Sequence, residues 1–212
     1  MKPLSLIDHV LIELEHSLRT CHVKPSSGPR PYPAQKLQNP ELSEQDSAHS
    51  ASLMRVNNAG EVAAQGLYRG QALTAGNESI KNDMLEAANE ENEHLNWCQT
   101  RLSELGSHTS LLDPFWYWGS FSLGLTAGLI GDKWSLGFVE ETEKQVTRHL
   151  EKHLDELPEQ DHRSRVIVDN MKQDEIKHAV YAHNAGAAKL PIPVRLAMNL
   201  VSKVMTFSAY RI

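Results

Sequence analysis

Two glutamate–histidine pairs with the same spacing carry the strongest chemical signal in this sequence. Glu91 is followed by His94, and Glu175 is followed by His178. Residues three apart lie on one face of an α-helix, so each carboxylate would point in the same direction as its imidazole. Carboxylate and imidazole ligands together suit iron or manganese, and the absence of a thiolate argues against zinc. Each pair therefore predicts half of a metal site.

The apolar residues around each pair indicate that the pair faces the protein interior. The stripe near the first pair contains Ile80, Met84, Ala87, Leu95, Cys98, Leu102 and Leu105, and the stripe near the second contains Ile167, Met171, Ala182 and Ala185. At about 100° per residue, Glu90 and Glu93 point away from the first stripe. Burying an unpaired carboxylate costs roughly several kcal/mol, which a bound metal ion would offset.

Two other segments each offer a single carboxylate on an apolar face. Glu61 shares its face with Met54, Ala64, Tyr68 and Ala72. The fourth segment has an apolar stripe of Val139, Val146, Leu150 and Leu157. Glu143 falls within this stripe, Glu140 lies at its margin, and Glu141 points away. We expect Glu143 to face the site and keep Glu140 as the alternative.

The predicted ligands are Glu61, Glu91, His94, Glu143, Glu175 and His178. Di-iron four-helix bundles use this set, with Glu-x-x-His from two helices and one Glu from each of the other two. We expect Glu91 and Glu175 to bridge two irons, while Glu61 with His94 completes one iron and Glu143 with His178 the other. A solvated or hydrogen-bonded polar side chain is the simpler interpretation for any single residue, but all six in register favour a metal centre.

Two further side chains are weaker candidates for supporting the site. Tyr68 lies on the same face as Glu61, and His149 follows Glu143 on the next turns of its helix. Residues that hydrogen-bond metal ligands orient them and tune the metal. A tyrosine in this position more often packs in the core, and a surface position is an equally good interpretation of the histidine.

The helical period predicts the elements that position these ligands. Helices are expected at residues 46–75, 79–105, 133–156 and 161–187, with a last helix at about 194–208. Since no strand-like alternation of useful length occurs, we predict an all-α fold, a ferritin-like four-helix bundle formed by residues 46–212. Residues 1–45 would form an extension with a short helix at 6–21 and a proline-rich stretch.

The bulk properties exclude several classes of protein. The chain has 212 residues, of which 40% are hydrophobic, and a formal net charge of −6, so a nucleic-acid partner is not expected. Cys21 and Cys98 have no disulfide or metal-site spacing. Acidic residues within the first 20 positions fit neither a secretory signal nor a mitochondrial transit peptide. We therefore expect a location on the cytoplasmic side.

Two segments have the composition of membrane-associating helices. Residues 111–138 are rich in apolar residues and include Trp116 and Trp118, but the apolar run at 121–130 is too short to span a bilayer. Residues 189–212 contain no acid, and their apolar stripe includes Leu200 and Val204. Basic amphipathic helices of this kind bind anionic leaflets. We expect these four side chains to face a membrane, although core or oligomer contacts would also explain them.

Four motifs resemble those of the demethoxyubiquinone hydroxylases of the bacterial type, the di-iron monooxygenases of ubiquinone biosynthesis. They are residues 53–61 (LMRVNNAGE), 66–71 (GLYRGQ), 91–95 (ENEHL) and 174–178 (DEIKH). The resemblance covers roughly residues 46–212 and implies the same six ligands, with counting forward from His94 again giving Glu143. His149 then matches a histidine of the family. Asn58 stands where the family usually has histidine.

The resemblance also implies a reaction, a substrate and a location. Dioxygen would supply one oxygen atom to the ring of a 3-demethoxyubiquinol and the other to water, with two Fe ions and an external reductant. A polyprenyl quinol resides in the bilayer, so the resemblance implies a peripheral protein on the cytoplasmic side of the cell inner membrane. It also implies partner proteins of ubiquinone biosynthesis. A ferritin-like ferroxidase and a non-enzymatic quinone or lipid carrier are the alternative functions.

Overall fold

Seven α-helices form the secondary structure of residues 5–25 and 28–212, which are the residues that the computed structural model describes. They are α1 (Leu6–His22), α2 (Glu44–Thr74), α3 (Glu78–Glu104), α4 (Asp113–Ile130), α5 (Asp132–Glu156), α6 (His162–Asn184) and α7 (Ile192–Ala209). These residues contain no β-strand. The all-α fold class predicted from the sequence is confirmed.

The four long helices α2, α3, α5 and α6 form the ferritin-like bundle. α2 packs along α3, and α5 packs along α6. The first turns of α2, α3 and α6 are capped by the side chains of Ser43, Asn77 and Asp161, each of which accepts a hydrogen bond from a backbone N–H. α6 ends at Asn184, earlier than predicted, because the chain turns at Gly186, whose φ of +98° suits glycine.

Two apolar layers enclose a polar level in the middle of the bundle. One layer is built around Met54, Leu102, Leu150 and Met171, and the other around Tyr68, Met84, Val139 and Ala182. On each of the four helices, the predicted ligands lie in the sequence between residues of the two layers. The packing therefore brings all four helices' polar side chains to one level of the core.

The apolar segment that follows α3 forms its own helix, α4, which packs closely on α2. A side chain on Gly66 or Gly124 would collide with a main-chain oxygen of the opposite helix. On the same side of α4, Trp116 packs against Val56 and Ala59 and is only 7% exposed. The expectation that Trp116 faces a membrane is corrected: its ring belongs to the α2–α4 interface.

The outer faces of α4 and α7 remain apolar. Phe115 on α4 is 65% exposed, and Leu200 and Val204 on α7 are 64% and 54% exposed. Trp118 is half-buried, and its ring packs edge-on against Phe121 at 5.4 Å between centroids. Within the described ranges, no helix is both long enough and apolar enough to cross a membrane.

Candidate metal centre

The structure brings side chains from all four bundle helices together in the core. α2 supplies Glu61, α3 supplies Glu91 and His94, α5 supplies Glu143, and α6 supplies Glu175 and His178. The first five are at most 3% exposed, and the His178 side chain is 12% exposed. A carboxylate is rarely buried to this degree without a partner.

Four of these residues form the tightest group. One potential ligand atom from each of Glu61, Glu91, His94 and Glu175 lies within 4.8 Å of those of the other three. Nδ1 of His94 is 3.0 Å from an oxygen of Glu91, and 3.4 Å from an oxygen of Glu61 and of Glu175. A single imidazole nitrogen therefore faces three carboxylates from three helices.

His178 and Glu143 adjoin this group from the other side. Nδ1 of His178 is 3.3 Å from Oε2 of Glu175 and 3.4 Å from Oε1 of Glu91. Glu91 and Glu175 thus each direct one oxygen towards His94 and the other towards His178. The two carboxylates occupy the centre of the cluster, with one histidine on each side.

The hydroxyl of Tyr68 donates a hydrogen bond of 2.5 Å to Oε1 of Glu143, within the core. Glu140, the alternative on the same helix, instead pairs with Lys144 and His183 away from the cluster. The structure therefore brings Glu143 to the site and not Glu140, and it places Tyr68 in direct contact with a predicted ligand.

His149 does not reach the cluster. Its Nε2 lies 2.9 Å from the hydroxyl of Ser202 on α7, and its ring is half-buried between α5 and α7. No hydrogen bond or ion pair connects it to the predicted ligands in the described part of the chain. The expectation that His149 supports the site is corrected, because its direction on α5 differs from that of Glu143. Asn58 is also turned away and donates to Asp113 at 3.2 Å.

The buried carboxylates of the cluster repel one another and need protons or a cation between them. Burial, together with the charge of Glu91, raises the pKa of Glu61 well above its ordinary value, and burial with the charge of Glu175 does the same for Glu143. Burial opposes protonation of His94, but hydrogen bonds to Asp174 and Glu175 raise its pKa well above its ordinary value. In the absence of a metal, these groups must hold protons to remain buried together.

The donor set fits a metal centre. Oε1 of Glu91 is buried and has no hydrogen-bond partner among the described residues. A bound cation would satisfy this oxygen and replace the protons that the clustered carboxylates otherwise need. The mixture of oxygen and nitrogen donors without thiolate is the chemistry of iron or manganese sites. The residues therefore form a buried glutamate–histidine group that is compatible with metal binding.

Both histidines are supported on their outer side by a carboxylate that the sequence patterns did not single out. Nε2 of His94 lies 3.2 Å from Oδ2 of Asp174, and Nε2 of His178 lies 2.5 Å from Oε2 of Glu90. Such partners fix the ring orientation of metal-binding histidines. Both acids directly precede a predicted ligand glutamate, so an acid–Glu–x–x–His motif occurs twice in the sequence. This repeated motif is the sequence signal for the two supporting acids, each of which contacts the histidine of the opposite helix.

Two cavities lie near the cluster. An apolar groove of about 260 Å³ lies between α2, α4, α5 and α7, and its lining includes Gly60 and Thr142, the sequence neighbours of Glu61 and Glu143. A polar cleft of about 430 Å³ lies between α3 and α6, where His178 and Glu90 form part of its wall. The centre is thus close to an apolar surface on one side and to a charged surface on the other.

Comparison with known proteins identifies the family. The family described as "Ubiquinone biosynthesis protein COQ7" matches residues 48–209. A protein of Nitrosococcus oceani named 3-demethoxyubiquinol 3-hydroxylase is 53% identical over 98% of this chain and 97% of its own length. Proteins of the same name from Chromobacterium violaceum and Dechloromonas aromatica are 51% and 52% identical, covering 98% and 96% of this chain and 100% and 98% of their own lengths. The chain belongs to the COQ7 family of ubiquinone biosynthesis proteins.

Proposed function

We propose that this chain is a di-iron monooxygenase that hydroxylates the ring of 3-demethoxyubiquinol in ubiquinone biosynthesis. One observation carries the proposal: six carboxylate and imidazole side chains from four helices converge in the core, and the two central carboxylates each face both histidines. Family membership and the names of relatives about 50% identical along nearly the whole chain supply the substrate and the reaction.

Two irons are assigned to the cluster in the following way. Glu91 and Glu175 would contribute to both iron sites, because each directs one oxygen towards His94 and the other towards His178. Glu61 and His94 would complete the set for one iron, and Glu143 and His178 the set for the other. Four carboxylates balance the charge of two divalent cations. When bound, the irons supply the redox chemistry that activates dioxygen, with electrons from an external reductant.

The apolar groove is the proposed path by which the quinol ring reaches the centre. Its wall is formed by small residues on α2, such as Ala63 and Ala64, and by apolar residues on α5 and α7, such as Phe138 and Met198. Small side chains leave room for a flat ring close to Glu61, and apolar ones exclude water from it. The groove is open, so a long prenyl tail can remain outside while the ring enters.

Peripheral membrane binding through α4 and α7 would bring this groove to the bilayer that holds the substrate. Leu123 of α4 and Val201 of α7 line the groove and are also 47% and 51% exposed. Lys203 and Arg211 lie on α7 and directly after it, without any acid in residues 189–212. We assign the protein to the cytoplasmic side of the inner membrane, where anionic lipids attract such basic residues.

Quinone analysis of cells tests the proposal. Cells that lack this chain should accumulate the 3-demethoxy quinone, seen by mass spectrometry, and wild-type protein should restore ubiquinone. Glu91→Ala should not restore it and should lose bound iron, since Glu91 contacts both histidines. Normal ubiquinone in the deletion strain, or full restoration by iron-free Glu91→Ala, would exclude the proposed reaction; the latter result would favour a carrier.

A further inference from the structure

The proline-rich segment between α1 and α2 lies against the outer side of the metal centre. We call residues 28–43 the strap. Its contacts with α3 and α6 run along its length: the Asn96 amide donates to the carbonyl of Pro25 at 2.6 Å just before it, Tyr32 donates to Glu104 at 3.2 Å, and Arg163 donates to the carbonyl of Leu37. The strap lies outside the residues 48–209 matched by the family.

Arg30 is the strap residue that reaches closest to the centre. Its Nη1 donates to Oδ2 of Asp174 at 2.5 Å, its Nε pairs with Glu93, and its backbone N–H donates to Oε1 of Glu93 at 3.3 Å. The guanidinium also lies 4.9 Å from the ring centroid of Trp97. A planar guanidinium can hold two carboxylates at fixed angles, which a lysine ammonium cannot do.

The strap packs closely against the Glu93 side chain at Gly28. A Cβ atom on Gly28 would overlap the carboxylate of Glu93, which is only 5% exposed. A larger residue at this position would therefore have to displace the Glu93 side chain where the strap crosses α3. The position of the Arg30 guanidinium is consequently determined by main-chain contacts as well as by its own ion pairs.

Asp174 connects Arg30 to a predicted ligand. The same oxygen, Oδ2, accepts from Arg30 and faces Nε2 of His94 at 3.2 Å. Nδ1 of His94 faces the central carboxylates, so the orientation of this ring depends on where Asp174 holds its outer nitrogen. Trp97 adds a second contact, since its ring lies 5.2 Å from the His94 ring and under Arg30.

Among the residues that the structure describes, the other half of the centre has no equivalent of Arg30. Nε2 of His178 faces Glu90, whose side chain is 50% exposed, whereas the Asp174 side chain is only 9% exposed. No hydrogen bond or ion pair links Glu90 to the strap in the described ranges. Both carboxylates line the cleft between α3 and α6, but the one on the His94 side is buried and anchored by the strap, whereas the one on the His178 side is half-exposed.

We propose that Arg30 is a positioning residue for the metal centre: it fixes Asp174 and, through it, the ring of His94. The strap is then a functional part of the site and makes the two metal positions unequal, with the His94 position the more rigid. This inference rests on the proposed function, because it requires that the cluster hold two metal ions.

Metal titration of the full-length, metal-free chain tests the inference. Fe(II) added without oxygen should bind in two equivalents to the wild type. Asp174→Asn should weaken one equivalent by roughly ten-fold or more, as expected for partners of metal-bound histidines, and Arg30→Gln should weaken the same equivalent by up to about ten-fold. The double variant should be no weaker than Asp174→Asn alone, because both changes act through one contact. Arg30→Lys should fall between wild type and Arg30→Gln.

Matched variants separate positioning from general damage. Lys177 contacts the other oxygen of Asp174 at 2.8 Å but is 72% exposed, so Lys177→Gln should change either affinity by less than about three-fold. Arg163→Gln loosens the strap at Leu37 and should lower the unfolding temperature without a selective loss of one equivalent. Glu90→Gln should weaken the other equivalent, since Glu90 supports His178.

The possible failures are distinguishable. If Arg30→Gln binds both equivalents as the wild type does, or weakens both equally, Arg30 is not a positioning residue although the di-iron proposal stands. Additive losses in the double variant also contradict the inference. If the wild-type chain itself binds no second equivalent, the proposed function fails and the inference fails with it.

Discussion

Acidification is expected to destabilise the metal-free protein through His153. This residue lies on α5, is 5% exposed, and its Nδ1 is 2.7 Å from Oδ1 of Asn57 on α2. Burial, reinforced by the positive charge of neighbours such as His149 and Lys152, lowers the pKa of His153 from 6.5 to about 3. The folded protein therefore keeps this imidazole neutral where the unfolded chain protonates it.

The magnitude follows from the difference between the two pKa values. Above pH 6.5 both states are neutral at this position, so His153 contributes nothing to the pH dependence. Between pH 6.5 and about 3 only the unfolded state takes up the proton, and the free energy of unfolding falls by about 1.4 kcal/mol per pH unit. At pH 5 the loss is about 2 kcal/mol, or roughly 4–8 °C in unfolding temperature for a domain of this size.

A comparison of wild type with His153→Asn isolates this contribution from other titrating groups. The asparagine amide can take the place of Nδ1 towards Asn57 but has no proton to gain in this range. Both proteins would be stripped of metal and unfolded thermally and by urea at pH 7.5 and pH 5. The variant should be less stable than wild type at pH 7.5 because it loses ring packing, but its loss between the two pH values should be smaller by about 2 kcal/mol. Parallel losses in the two proteins would refute the assignment.

Two further predictions concern the irons and the membrane. Glu143→Ala should lose one of two irons, whereas Glu140→Ala should keep both, because Glu140 pairs away from the cluster; the reverse iron contents would move the ligand to Glu140. Leu200→Asp combined with Val204→Asp should weaken sedimentation with anionic liposomes, since each exposed apolar side chain contributes about 1.5–3 kcal/mol when buried. The same double variant should slow a long-chain quinol more than a short soluble analogue; equal slowing would show that α7 acts only structurally.

The bundle itself could be predicted because its signal is local. A period of 3.6 with polar residues at fixed offsets appears within each helix, and α3 and α5 begin within one residue of the prediction, at Glu78 and Asp132. α4 was harder to predict, because it is apolar on all sides and rich in glycine. Close packing against α2 at positions such as Gly66 and Gly124 supports the helix. The sequence of the segment alone does not reveal this packing.

The six ligands could also be predicted from the pattern within each helix. The residues that hydrogen-bond to them could not, because those contacts join different helices. Angular position on a helix identified Glu143 over Glu140, since one faces the core and the other does not. The pairing of Asp174 with His94 joins two helices, as does that of Tyr68 with Glu143. Periodicity reports which face a residue occupies and nothing about the partner opposite. His149 was misjudged for this reason, because its partner lies on α7.

The contacts around the centre explain how a nearly repeated motif gives two different halves. Acid–Glu–x–x–His occurs on both α3 and α6, and each acid supports the histidine of the other helix, so the inner arrangement is close to symmetric. The outer residues break this symmetry. Tyr68 follows Glu61 on α2 and donates a hydrogen bond to Glu143. At the same distance after Glu143 on α5 stands Leu150, whose side chain has no polar hydrogen to donate to Glu61. Of the two acids that support the histidines, Arg30 donates to Asp174 and makes no hydrogen bond to Glu90 among the described residues. If the cluster holds two metal ions as proposed, these outer contacts are expected to make the two positions differ in affinity, because the predicted ligands are of the same kinds on both sides.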